Sequence, residues 1–294
     1  MDEISRYRHL ALNAAGWVLG LTMLVPALAS SPIVAGFNTY TLPANDDGST
    51  SFVAFNAALF PSPLSAFSMN FYGTTYNGLW VNNNGNVTFD GSMSTYTPFG
   101  LTSVLNNPVI APFFGDVDTR GPGSGIVSYG TGTFDGMSAF GVNWPGVGYY
   151  DAATDKLNTF QLLLVNRSDT GAGNFDIYFN YGSMQWETGD ASGGHDGLGG
   201  SCAVAGYSNG SGNAGTYYQL PGSGVCGSLI DGGSHALQTA TNDGTPGQFL
   251  FEVRNGHVAP PPTGVPEPSS IALLGAGLGL LTFAAARRGR RQDR

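Results

Sequence analysis

From Phe37 to Arg254 apolar residues recur in short bursts and never hold the spacing of an amphipathic helix. Pro108 to Phe114 is nearly all apolar, as a strand buried on both faces would be. From Asn174 to Trp186 the pattern alternates: Phe175, Ile177, Phe179 and Tyr181 point one way, Asp176, Tyr178 and Asn180 the other. Leu157 to Val165 alternates until Leu162-Leu163-Leu164, which predicts a central strand. Leu79-Trp80-Val81 and Asn86-Val87-Thr88-Phe89 flank Asn82-Asn83-Asn84-Gly85, a hairpin in which Asn84-Gly85 can take the positive φ of a tight turn. Ile126–Tyr129, Ser138–Val142, Cys202–Tyr207 and Gln248–Val253 complete the set. No self-similarity at repeat-protein periods is visible. About ten strands predict an all-β fold, a β-sandwich.

The two ends have a different pattern. Arg6, Arg8 and His9 precede an apolar run from Leu10 to Leu28, and Ala27-Leu28-Ala29 supplies the small residues a signal peptidase reads. Residues 1–29 are expected to be a signal peptide, and residues 30–257 the folded domain. A Pro-rich linker, 258–270, begins with Pro260-Pro261-Pro262 and ends in Val265-Pro266-Glu267-Pro268-Ser269-Ser270. Residues 271–294 are expected to be an apolar helix with a basic tail, Ile271 to Ala286 ending against Arg287, Arg288, Arg290 and Arg291. Sixteen residues span about 24 Å, short for a bilayer crossing. The arginines place the extreme C-terminus in the cytoplasm and the signal peptide places the domain outside. Gly275 and Gly279 are small residues one turn apart, either a helix-pairing pair or filler.

This tail resembles the PEP-CTERM sorting signal of Gram-negative, exopolysaccharide-producing bacteria: Pro-Glu-Pro, a short apolar helix and a basic stop, in order. The resemblance implies recognition by an exosortase, a membrane-embedded thiol transpeptidase-like enzyme that would cut near Pro266-Glu267-Pro268. The membrane contact would be transient and the domain would reach the cell surface or extracellular matrix. The middle of the chain resembles the NIDO domain of nidogen, tectorin and membrane mucins. The motifs are Ile110-Ala111-Pro112-Phe113-Phe114-Gly115-Asp116-Val117-Asp118-Thr119-Arg120, Asn158-Thr159-Phe160-Gln161 and Tyr181-Gly182-Ser183-Met184-Gln185-Trp186-Glu187-Thr188-Gly189. That resemblance implies an extracellular matrix or adhesive module without established catalysis. A Gly-rich insert, Asp190 to Gly200, departs from it.

Charge narrows the partners. Between Ser30 and Ala259 there are 16 Asp and Glu against four Arg and Lys, a balance of about −12, which argues against nucleic acid. The four His are scattered and suggest no zinc site. Cys202 and Cys226 lie beyond an export signal, so a disulfide is expected, against two free buried thiols. No His pattern supports a catalytic thiol.

Candidate chemistry is sparse. Asp116 and Asp118, just after a buried strand and with Asn82, Asn83 and Asn84 on another loop, could share a calcium ion, since side chains at i and i+2 of a strand face one way. Arg120 and Val127 break the EF-hand pattern, and Arg120 could instead pair with either Asp. Gly206-Tyr207-Ser208-Asn209-Gly210 matches a nucleophile elbow, but no helix follows, and nothing orders His195, Asp196 or His235 around Ser208. Glu187 and Asp190 could serve a glycosidase, with Trp186 beside them. Trp80, Trp144, Trp186 and Tyr149-Tyr150 read as core or edge aromatics before a sugar platform. The expectation is a non-enzymatic surface or matrix protein that binds extracellular polysaccharide or matrix protein. The alternatives are a secreted carbohydrate-active hydrolase and a calcium-stabilised polysaccharide-binding module.

Overall fold

The computed structural model describes residues 31–259. The expected signal peptide, the Pro-Glu-Pro segment and the apolar sorting helix lie outside the described residues. Within them the chain is built of strands: β1 (Tyr40–Thr41), β2 (Val53–Ala54), β3 (Met69–Phe71), β4 (Thr74–Tyr76), β5 (Gly78–Asn82), β6 (Asn86–Thr88), β7 (Val109–Phe114), β8 (Val117–Asp118), β9 (Ser128–Phe134), β10 (Met137–Tyr149), β11 (Ala153–Asn166), β12 (Phe175–Tyr181), β13 (Val204–Ser208), β14 (Tyr217–Gln219), β15 (Gln248–Arg254) and β16 (His257–Val258). The expected strands are there; the extra ones are two- or three-residue pairings too short to carry a period. Among the described residues the one helical turn is a 3-10 turn at Asp190–Ser192.

The strands form a sandwich of two antiparallel sheets. The larger runs β1-β9-β10-β11-β12-β15-β16, with β8 also pairing to β10; the smaller runs β14-β13-β7-β6-β5-β2; β3 and β4 make a separate hairpin. The expected strands at Ser138–Val142 and Leu157–Val165 are the first part of β10 and the last part of β11, which pair with each other in strands that reach 13 and 14 residues. Their outer halves carry Gly, Pro and polar residues and bulge near Pro145, so the hydrophobic period fades there.

Phe113, Trp144, Phe160, Tyr181 and Trp186, all at most 1 % exposed, fill the space between the sheets. Trp144 stacks on Phe160 at 4.9 Å, and Phe113 meets Trp186 edge-on at 5.5 Å. Buried ring donors are satisfied: Trp144 Nε1 donates to Asn83 O and Trp186 Nε1 to Val147 O, both at 2.9 Å. Tyr181 Oη on β12 donates to Pro112 O on β7 at 2.6 Å and ties one sheet to the other. Pro112 can sit in a central strand because the β7–β13 register shifts opposite it and the β6–β7 pairing ends before it.

The polar side of β12 is also buried. Asp176 accepts Arg167 Nη1 at 2.8 Å and Arg254 Nη1 at 2.5 Å, while Asn180 bonds Gln161 and Gln248. Its outer side is thus a paired polar layer rather than a solvated face. Over the neighbouring strands the N-terminal segment closes: Val34 exchanges two hydrogen bonds with Gln161, and Phe37 packs with Ala139, Leu163 and Val165.

Cys202 and Cys226 form a disulfide with Cα atoms 5.3 Å apart. In the loop-entropy account, a closure of this length stabilises by roughly 3–4 kcal/mol. Replacing both cysteines by Ser is therefore expected to lower the melting temperature by about 10 °C. Thermal denaturation followed by near-UV dichroism reads it, and an unchanged midpoint would show that the bridge constrains nothing.

Candidate functional site

Three segments meet at one end of the sandwich: the loop Asn45 to Gly48, the β5–β6 turn and the bend before β8. The turn is buried although it is asparagine-rich. Asn82 Nδ2 donates to Asn86 Oδ1 at 2.8 Å and Thr88 Oγ1 at 3.0 Å. Asn84 Nδ2 donates to Asp47 Oδ1 at 2.8 Å, and Asn84 Oδ1 accepts Val117 N–H at 2.9 Å. Asn83 Nδ2 donates to the carbonyls of Asp46 and Val117. Only Gly85 in this turn has a positive φ, +76°. The turn is thus a polar hub that holds together segments far apart in sequence.

Asp116 and Asp118 do not sit on one strand. The strand begins at Val117, so Asp116 sits on the preceding bend. Asp118 is held by Arg120: Nε donates at 2.9 Å and Nη2 at 2.5 Å, and the Arg120 and Ala152 backbone N–H groups add to them. Burial alone would raise the Asp118 carboxyl, but these bonds outweigh it and hold it below the usual range. Arg120 Nη2 also reaches Asp46 Oδ2 at 3.1 Å.

Asp116 instead faces Asp46 and Asp47, with one carboxylate oxygen from each within 4.8 Å of the others. Asp46 Oδ1, Asn83 Oδ1 and Asp116 Oδ2 are buried with no hydrogen-bond partner among the described residues. Burial, then the charges of Asp46, Asp47 and Asp118, push the Asp116 carboxyl up to about 7, with Arg120 opposing. Asp46 is raised to about 6, first by burial and then by Asp47 and Asp118. Sequence reasoning missed Asp46 and Asp47 because they lie about 70 residues upstream in a polar loop. Their one signal is an acidic pair ahead of Gly48.

The catalytic candidates are otherwise engaged. Glu187 is 2 % exposed; its carboxylate accepts Gly227 N–H at 2.9 and 2.7 Å beside the disulfide, while Asp190 is exposed on the 3-10 turn. Ser208 is fully buried in β13, its Oγ accepting Gly210 N–H. His235 Nδ1 bonds the hydroxyls of Ser228 and Ser234, and His195 pairs with Asp196 at the surface. Trp144 and Trp186 are core residues, as expected.

A groove of about 570 Å³ runs between the edge strands β1 and β2, one from each sheet. Tyr40 and Phe52 are its exposed rings, at 44 % and 45 %. Tyr40 stacks with Tyr129 at 5.5 Å, and Phe52 packs on Trp80 at 4.8 Å. Thr41, Ser49, Thr50, Ser51 and Asn56 add polar groups to the walls.

Comparison with known proteins gives two family matches. The nidogen-like domain matches residues 77–137 and 127–255, and the PEP-CTERM protein-sorting motif matches residues 264–291. Alpha-tectorin of Mus musculus is 32 % identical over 245 residues, covering 76 % of this chain and 10 % of that protein. Alpha-tectorin of Homo sapiens is 31 % identical over 247 residues, with the same coverage. Nidogen of Drosophila melanogaster is 31 % identical over 209 residues, covering 63 % of this chain and 14 % of that protein. The chain spans about a tenth of the length of the tectorins it matches. No solved structure matches it. With the family match running from the β4–β5 turn through β15 and a sorting motif behind it, this chain belongs to the nidogen-like domain family and is an exported protein of the cell surface or extracellular space.

Proposed function

We propose that the domain is a non-catalytic binding module that holds a neutral extracellular polysaccharide in the groove between β1 and β2. The observation that carries this reading is the pair of exposed rings, Tyr40 and Phe52, set among hydroxyl and amide side chains. Ring faces cover the apolar side of a sugar while the polar groups bond its hydroxyls. Tyr129 and Trp80 lie behind the two rings and limit their rotamers, so little side-chain entropy is lost on binding. A domain charge of about −12 favours neutral over anionic polymers. The engaged states of Glu187 and Ser208 support a binding role over hydrolysis.

The test is titration calorimetry of the exported protein with a soluble neutral β-glucan, a galactomannan and, as anionic comparison, alginate. Tyr40→Ala and Phe52→Ala are each expected to weaken the neutral-polymer complex about tenfold, roughly 1.4 kcal/mol, while losing one ring contact each and so lowering the melting temperature by only a few degrees. Binding that ignores both substitutions, or turnover that vanishes in Glu187→Gln, would overturn the proposal.

A further inference from the structure

We propose that Asp46, Asp47 and Asp116, with the amide oxygen of Asn83, bind one calcium ion. An acidic cluster alone would not justify this. The second observation is that the three buried side-chain atoms without a hydrogen-bond partner among the described residues are Asp46 Oδ1, Asn83 Oδ1 and Asp116 Oδ2. All three are acceptors and all three belong to this one neighbourhood. Buried polar groups in folded proteins are nearly always paired. Three orphaned acceptors with no donor beside them are what a cation would satisfy.

The orientation of Asn83 is fixed independently of any ligand. Its Nδ2 meets the carbonyl oxygens of Asp46, Val117 and Asn45. Flipping the amide would set oxygen against three oxygens, so Oδ1 is the end left without a donor. Asn83 is fully buried and bonded to the backbone of Asp46 itself and of Val117, next to Asp116. Gly189 packs against this carboxylate and leaves no room for a side chain: a Cβ there would lie 2.4 Å from Asp116 Oδ2.

The dimensions and donor types select the ion. Two oxygens bound to one calcium at about 2.4 Å can be at most about 4.8 Å apart, and the three carboxylates meet that limit. The donors are all oxygen, without His or Cys, which suits a hard cation. Their positions come from three loop segments, which fits the irregular geometry calcium accepts better than the octahedron magnesium demands. The nearby guanidinium, Arg120, is committed to Asp118 and to the outer oxygen of Asp46, leaving the inner carboxylates unneutralised. This inference does not depend on the groove or its ligand.

The test uses the exported protein stripped with EDTA. Calorimetry with calcium is expected to give one site per chain. At about 100 times Kd the melting temperature should rise by roughly 5–10 °C. Asp116→Asn is expected to abolish the calorimetric signal and the shift. Asp47→Asn, at a half-buried position where the amide oxygen can still accept the Asn84 bond, should raise Kd at least tenfold and keeps the test open if Asp116→Asn folds poorly. Asp135→Asn, at an exposed turn elsewhere, should leave Kd unchanged. No saturable binding, a Kd indifferent to Asp47→Asn, or an equal shift from magnesium at the same concentration would overturn the site.

Discussion

Gly85→Ala is expected to cost the domain roughly 2–5 kcal/mol and to lower its melting temperature by about 5–20 °C. Two effects act together. Gly85 has φ +76°, where an alanine is strained by about 1 kcal/mol. A Cβ built there would also lie 1.6 Å from the Phe113 carbonyl oxygen, closer than any contact can be. Neither partner can retreat cheaply. Gly85 N–H donates to Asn83 O at 2.8 Å, and Phe113 N–H donates to Gly85 O at 3.2 Å, so the turn is bonded to β7 by its own backbone. Against a total stability of about 5–15 kcal/mol, a loss of this size should reduce the exported yield as well as the midpoint. Gly136→Ala supplies the comparison. Its φ is +77° with nothing within 4 Å of the added carbon, so it isolates the strain from the clash. Urea denaturation of both variants decides the matter: equal losses would mean that the contact with Phe113 contributes nothing.

Replacing Pro266, Glu267 and Pro268 together with Ala is expected to leave the protein in the membrane fraction at precursor size. The sorting-motif match covers these residues. Downstream, the apolar run to Ala286 and the arginines after it would hold an uncut chain in the bilayer. Immunoblots of membrane and released fractions read the result. Replacing Pro260, Pro261 and Pro262 should leave release intact. Release of the Ala variant at the mature size would remove the sorting role from the motif.

How far the sequence speaks differs between fold and site. The all-β reading was legible because β7, β12 and β15 each place large apolar residues at the period of a strand, or without interruption where both faces are buried. The resemblance to the nidogen-like family was legible in the blocks around Ile110–Arg120 and Tyr181–Gly189, which pack on one another: Gly189 lies against Asp116. Strand ends were not legible, because β10 and β11 continue into Gly- and Asp-bearing segments whose pairing, not whose apolar pattern, keeps them extended. The acidic site was half legible. Asp116 stands out in its motif, but its neighbours Asp46 and Asp47 come from another loop, and spatial convergence of distant loops leaves no local periodicity. Asp118 looked equivalent to Asp116 two residues away; the bend at Gly115–Asp116 separates them, and Arg120 takes Asp118. The groove rested on the exposure of Tyr40 and Phe52, which a sequence does not display.

The Val34–Gln161 pairing, which spans 127 residues, bears on how the chain leaves the cell. β1 closes on β9, and β12 waits for β15 near the end of the domain. Such a topology has a high contact order, so loop-closure entropy delays the native state until nearly the whole domain is available. A nascent chain lacking β15 leaves β12 without its partner and the larger sheet incomplete. The architecture therefore favours a polypeptide that stays threadable while it is exported and completes its larger sheet on the far side of the membrane, where its cysteines can also oxidise.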